Sequence, residues 1–342
     1  MEAEKRRQEF LREVVKTASV AQQRSLRAMI GDDPRDPAVE TAYLQNPFFQ
    51  LTEAEARTFR DEDDASPMHR LIAARDAASR IKTAKYSVFC MPKSGSSFTN
   101  HALQHALGLP SRSLTSVGAG SVASYFGMNS REQEFDELAL TKAILGSPNG
   151  FVAQVHTRYS MYLALQMRTF GISPIVTVRN LLDCIVSFDD MMMSWRGDRR
   201  EDGWLSDAQF ALPKDYVDLE PARRFEILGR SFGVWLISFY LSWKRGAGQK
   251  LVTPLLIRYE EDILDKERFV ELLSGHIQMS DEQKARLVEF THKPDPVTSR
   301  LNVGVSGRGR QMIPETVVEF LLDHIAAFRD EIPEEEVRYL IQ

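Results

Sequence analysis

The apolar positions of this 342-residue chain change their period near residue 85. Before it, Phe10, Leu11, Val14, Val15 and Ala18 recur at helical spacing between Glu2 and Met29, predicting an amphipathic helix that Gly31 and Pro34 end. Such a stripe is buried on the protein's own core or against a second copy, which makes a homodimer one expectation. Residues 32–67 are richer in Pro, Asp and aromatics and read as an irregular wrap with the run Asp61-Glu62-Asp63-Asp64 in solvent. From Tyr86 onward short apolar runs alternate with longer helical patterns. Strands are expected over Tyr86–Cys90, Phe151–His156, Pro174–Val178 and Leu251–Arg258, and helices over Ser96–Leu107, Arg158–Phe170, Leu181–Trp195 and Arg223–Lys244. That alternation predicts a three-layer α/β fold, a central parallel sheet flanked by helices. Residues 1–84 then form an N-terminal helical extension packed on the core, and residues 85–342 the α/β domain.

In open sheets of this kind ligands collect beyond the carboxyl ends of the strands. Lys93, His156 and Arg179 all stand at such ends. Composition narrows the chemistry. A net charge of −5 argues against nucleic acid as a partner, because such binders need an excess of Lys and Arg. The two cysteines, Cys90 and Cys184, lie in apolar runs, which fits a reducing compartment better than disulfide stapling, and no Cys/His cluster suggests a metal. No run of about 18 apolar residues occurs, and the polar start after Met1 is unlike a signal peptide, so a cytoplasmic protein without a transmembrane segment is expected.

The apolar run to Cys90 leads into Pro92-Lys93-Ser94-Gly95-Ser96-Ser97-Phe98. Strand, small-residue loop and helix start in that order bring backbone N–H groups together on one anion, with Lys93 as a movable positive charge. The lysine precedes the glycine, unlike the ATP-binding loop that ends Gly-Lys-Ser/Thr. An ordinary turn of small residues is the plain alternative. The order resembles the 5′-phosphosulfate loop Pro-Lys-Ser-Gly-Thr-Thr-Trp of sulfotransferases that use 3′-phosphoadenosine 5′-phosphosulfate (PAPS). Further on, Arg179-Asn180-Leu181-x-Asp183 with Ser187 resembles that family's 3′-phosphate motif Arg-Asn-Pro-x-Asp-x-x-x-Ser, Leu181 replacing proline. Eight positions apart, Arg179 and Ser187 are separated by about two helical turns.

The resemblance runs from Lys85 to about Arg310, with divergent sequence between the motifs, and points to a bacterial-type member of P-loop fold. It implies Ser94, Gly95, Ser96 and Ser97 on the phosphosulfate, Arg179 and Ser187 on the 3′-phosphate, and Lys93 and His156 as catalytic residues. His156 ends a segment similar to the strand that carries the family's catalytic histidine; a structural hydrogen bond is its alternative, and Glu132 or Glu134 the alternative base. His101 and His105, on the helix after the loop, are also placed to face the cleft. For Arg179 the alternative is a salt bridge to Asp183 or Asp189. Phe98 stands where the family has Trp, so its ring stacks on adenine or packs in the core. Tyr259, in Tyr259-Glu260-Glu261-Asp262, matches a tyrosine near the nucleotide, with Glu261 and Asp262 expected to cap the next helix. Arg300 to Arg310 is similar to the late loop closing on the 3′-phosphate: Gly304 and Gly307 keep its spacing, Asn302 and Val303 replace its Arg-Lys, and the charge falls to Arg300, Arg308 or Arg310.

The implied reaction moves the sulfuryl group of PAPS to a hydroxyl acceptor, a glycan, lipid-linked sugar or secondary metabolite, without a metal. Met191, Met192 and Met193 with Phe188 are read either as an acceptor pocket or as core, and Arg196–Tyr216 as a lid or a surface loop. A nucleotide kinase or NTPase and a PAPS-binding module without activity remain as alternatives.

Overall fold

The computed structural model describes residues 77–114, 135–194, 212, 213, 215–293 and 306–341. The expected Glu2–Met29 helix with its pairing surface, the 32–67 wrap, Glu132, Glu134, Trp195, most of the 196–216 insertion, Arg300, Asn302, Val303 and Gly304 lie outside them. Contacts divide the chain into two units. Of the smaller, the described residues are 77–81, 113, 114 and 135–146. It holds a helix, Glu137–Leu145, whose start is capped by the Asp136 carboxylate accepting from the Ala139 amide at 2.8 Å.

The larger unit carries five parallel strands. Along the chain come β1 (Ala84–Cys90), α1 (Ser96–Leu107), β2 (Ser111–Arg112), then, numbering Glu137–Leu145 as α2, β3 (Gly150–Val155), α3 (Met161–Phe170), β4 (Ser173–Val178) and α4 (Leu181–Ser194). Next are α5 (Pro221–Leu228), α6 (Val234–Gly248), β5 (Leu255–Arg258), α7 (Lys266–Ile277), α8 (Asp281–His292), α9 (Arg308–Met312), α10 (Glu315–Ala326) and α11 (Glu334–Ile341). Sheet order is β2-β3-β1-β4-β5, with Val88 opposite both Gln154 and Ile175, so the loop after β1 opens at the centre of the edge where strands end.

The residues of β1, β3 and β4 are almost continuously buried, as a sheet covered on both faces requires. Val88 and Cys90 face α1, α7 and α8, meeting Phe98, Leu103, Phe269 and Phe290. Phe89 faces the other way, its ring 4.5 Å from Trp243 on α6. The fold is therefore the three-layer α/β arrangement expected, a parallel sheet flanked by helices. Beyond shifts of a few residues at other ends, three differences have a local cause. β5 begins at Leu255 instead of Leu251, because Pro254 lacks an N–H and restrains Thr253. α3 begins at Met161 because Ser160 caps it, accepting from the Leu163 amide at 3.0 Å. The expected Arg223–Lys244 helix is two helices joined by a π-helical turn at Gly229–Gly233.

Under α4 lies a buried ion pair. Arg224 of α5 donates twice to Asp189, at 2.8 and 3.0 Å, and the Tyr216 hydroxyl donates to the same carboxylate at 2.6 Å. Removing one partner strands a buried charge, which costs about 3–5 kcal/mol. Arg224→Ala is therefore expected to lower chemical-denaturation stability by that order, while Arg223→Ala, whose pair is exposed, changes it little.

Candidate anion-binding and catalytic site

Two left-handed residues, Lys93 at φ 71° and Gly95 at φ 78°, turn the chain from β1 into α1. Ser94 between them is fully buried; its hydroxyl donates to the Met91 carbonyl at 2.6 Å and pairs with the Thr177 hydroxyl at 2.7 Å, while its amide goes to Met91 at 3.2 Å. This corrects the expectation for Ser94: it ties the loop to β4 and leaves no donor for a phosphosulfate. Gly95 is needed twice over, for its positive φ and because a Cβ there would lie 2.8 Å from Ile263 and 2.9 Å from the Tyr259 ring. No side chain caps the start of α1, so its first amides are open to an anion. Ser97 is half-buried beside them, and the buried Ser96 hydroxyl accepts from Gln154 at 3.0 Å.

Phe98 is a core residue. It has no accessible surface, packs on Phe269 and Phe290 at 5.3 and 5.7 Å, and has the Lys266 ammonium over its ring at 4.5 Å, so adenine stacking is corrected to core packing. His105 likewise lies against Phe290 rather than in a cleft.

His156 follows β3 and is 7% exposed. Its Nδ1 lies 2.9 Å from the Cys90 carbonyl and 3.2 Å from Cys90 Sγ. A carbonyl only accepts, so Nδ1 carries the proton and Nε2 keeps its lone pair. Burial first, and the Lys93 charge in addition, push the imidazole from 6.5 down to about 4, against a smaller upward pull from the Cys90 carbonyl. Burial also holds the Cys90 thiol up at about 12, making it a hydrogen-bonding group and not a nucleophile. Because the folded state takes this histidine's proton later than the unfolded chain does, the stability it contributes is present above about pH 6.5 and is lost as pH falls towards about 4. Denaturation midpoints measured between those limits should fall with pH, with the dependence weakened in His156→Gln.

Arg179, one residue beyond β4, donates from Nη1 to the Lys93 carbonyl at 3.0 Å and so couples the two motifs. Its guanidinium also faces Asp183 at 3.6 Å and Glu260 at 3.7 Å and lies 4.2 Å over the Tyr259 ring. Of the two acidic alternatives, Asp183 is the partner here; Asp189 belongs to Arg224. Tyr259 is almost wholly buried and packs against Gly95 and Arg179. Nor do Glu261 and Asp262 cap α7. Glu261 pairs with Arg258, Asp262 receives the Arg258 amide and the Arg268 guanidinium, and Asp265 is the cap, at 3.0 Å from the Arg268 amide.

The outer wall is α4, where Asp183, Ser187, Asp190 and Met191 recur at one-turn intervals. Met191 Sδ lies 3.8 Å from Lys93 Nζ, whereas Phe188 packs on Phe232 at 4.6 Å and Met192 is buried, so the core reading holds for those two. Asp183 accepts from the Gly307 and Gly309 amides at 2.8 and 2.7 Å and from Ser306 at 3.2 Å, docking the late loop on α4. Gly309 fits because it has no Cβ, which would lie 2.3 Å from Leu182. Arg308 pairs at 2.9 Å with Asp190, which follows Ser187 by three positions on α4, and Arg310 pairs with Glu315 at 2.7 Å on α10. Of the three candidate arginines, Arg308 is thus the one brought to α4, Arg300 lying outside the described residues.

Sequence reasoning missed Cys90, Thr177, Gln154 and Glu260 as supports, since partners brought in from other elements carry no motif of their own, whereas Asp183 was among the expected partners of Arg179. What these elements define together is an α/β protein with a left-handed loop after β1, a neutral histidine after β3 and an arginine after β4 at one sheet edge. No protein-family model and no curated protein matches the chain. A solved structure described as mouse sulfotransferase SULT7A1 complexed with PAP aligns at 16% identity with a TM-score of 0.48, over 77% of this chain and 90% of that one. A likeness of that size bears on neither activity nor site. No described helix is long and apolar enough to cross a membrane.

Proposed function

We propose that the protein transfers the sulfuryl group of PAPS to a hydroxyl acceptor, with His156 as general base. The observation that carries this is one residue, Cys90, which both leads into the anion loop and holds His156 Nδ1, so that loop and base share a mount. Bound PAPS supplies the sulfuryl group and leaves as adenosine 3′,5′-bisphosphate. Lys93 and the first amides of α1 neutralise charge on the departing 5′-phosphate oxygen. Nε2 of His156 accepts the acceptor's proton as its oxygen approaches sulfur. Arg179, Ser187 and Arg308 receive the 3′-phosphate. Gly95, at φ 78°, turns the chain into α1, whose first amides, uncapped by a side chain, are the donors that fit a phosphate.

Each guanidinium of this cleft already faces a carboxylate: Arg179 has Asp183 and Glu260, and Arg308 has Asp190. A phosphate must compete with them. Asp190→Asn is therefore expected to tighten adenosine 3′,5′-bisphosphate binding by about threefold, the scale of a partly exposed pair, and Arg308→Ala to weaken it. Calorimetric titration of both variants measures this. The function itself is tested by incubating labelled PAPS with pooled sugars, lipids and phenols and finding the sulfated product by mass. A product formed by wild type and not by Lys93→Ala supports the reading. Magnesium-dependent ATP turnover with no sulfated product sinks it in favour of a kinase or NTPase.

A further inference from the structure

The last helix of the chain reaches the same sheet edge. α11 is anchored by buried Leu340 and Ile341 and by the Lys244–Glu336 pair at 2.5 Å. Beside Leu340, the Tyr339 hydroxyl lies 2.8 Å from Glu260 Oε2 and 3.2 Å from the Val178 carbonyl, and the Tyr339 carbonyl accepts from Asn180 Nδ2 at 3.2 Å. Glu260 Oε1 accepts from the Asn180 amide at 3.2 Å, while Asn180 Oδ1 caps α4 through the Leu182 and Asp183 amides at 3.0 and 3.2 Å. Val178, Asn180 and Asp183 surround Arg179, so three of its neighbours in sequence are fastened by this one network.

Glu260 stands 3.7 Å from Arg179 Nε, just beyond hydrogen-bond range. Its two nearer donors, the Asn180 amide and the Tyr339 hydroxyl, hold it there. Glu260 is half-buried, so once it loses a donor the Arg179 guanidinium is the next partner within reach. We propose that Tyr339 is a positioning residue for the anion site: by holding Glu260 back, it limits the carboxylate's grip on the Arg179 guanidinium, so that a phosphate can compete for it. This rests on the reading of Arg179 as a phosphate ligand. Without the hydroxyl, Glu260 closes onto Arg179 and competes with the ligand.

Tyr339→Phe tests this and keeps the ring that lies under Arg258 at 4.8 Å, so the helix stays docked. By titration with adenosine 3′,5′-bisphosphate, the variant should bind about five- to tenfold more weakly, the loss expected for one charge-assisted bond. KM for the donor rises to match and kcat stays. Adding Glu260→Gln, which removes the competing charge, should restore affinity, a rescue that mere loosening of the fold would not give. Amide exchange at Asn180 should quicken in Tyr339→Phe and leave Ser97 and Phe98 unchanged, whatever the ligand. Unchanged Asn180 exchange with unchanged affinity, or a loss that Glu260→Gln does not rescue, overturns the proposal. If wild type itself fails to bind adenosine 3′,5′-bisphosphate, the functional reading falls, and the exchange at Asn180 alone decides whether Tyr339 holds Glu260.

Discussion

Under the proposed sulfuryl transfer, His156→Gln is expected to slow turnover by about 10²- to 10⁴-fold, the usual worth of a positioned general base, and to leave affinity for adenosine 3′,5′-bisphosphate unchanged. The expectation follows from the imidazole's surroundings. Its Nδ1 proton is committed to the Cys90 carbonyl at 2.9 Å, and burial keeps the ring neutral down to about pH 4. A neutral imidazole with Nε2 open is a base throughout the physiological range. Wild-type kcat/KM should therefore lose activity only as pH falls towards about 4, without the inflection near 6.5 of an ordinary histidine. Glutamine cannot accept the proton at neutral pH, yet it fills much the same volume, so loop and arginines keep their places. Near-normal turnover in His156→Gln would move the base to a carboxylate, with Glu132 and Glu134 the next to replace.

The second large effect is at Lys93, and there activity and stability part company. A non-glycine residue at φ 71° carries strain of about 1–2 kcal/mol. Lys93→Gly relieves the strain, and the entropy glycine loses on folding offsets about 0.5–1 kcal/mol of that gain. The melting temperature of Lys93→Gly should therefore stand at or slightly above that of wild type, whereas turnover is lost with the ammonium. Lys93→Ala loses the same activity and keeps the strained backbone. Comparing the two by calorimetry and by assay separates the side chain's charge from the loop's shape. A clear fall in the melting temperature of Lys93→Gly would mean that the lysine's contacts, among them Met191 Sδ at 3.8 Å, hold the loop together.

The sheet was legible in sequence because its strands are buried on both faces and read as unbroken apolar runs ending at Cys90, Val155 and Val178. β2 was not: Ser111–Arg112 is two polar residues long and pairs with β3 by backbone alone. The turn at Lys93 from strand into helix was legible because its small residues lie within seven positions. Its supports were not, since Thr177, Tyr259 and Glu260 come from other strand ends and act by position. Ser94 shows the difference within one motif. Its place in the loop is readable, but the direction of its hydroxyl depends on Thr177, 83 residues away. Phe98 fails for a similar reason: an aromatic at the third position of α1 meets the core or a ligand according to what α7 and α8 bring against it.

That one site binds a nucleotide phosphorylated at both ends is tested most directly by titrating the wild-type chain with adenosine 3′,5′-bisphosphate in the presence of a chelator. The account predicts saturable one-to-one binding without magnesium, weakened in Lys93→Ala and Arg179→Ala. Absence of binding, together with saturable binding of ATP and magnesium at Lys93, would contradict it.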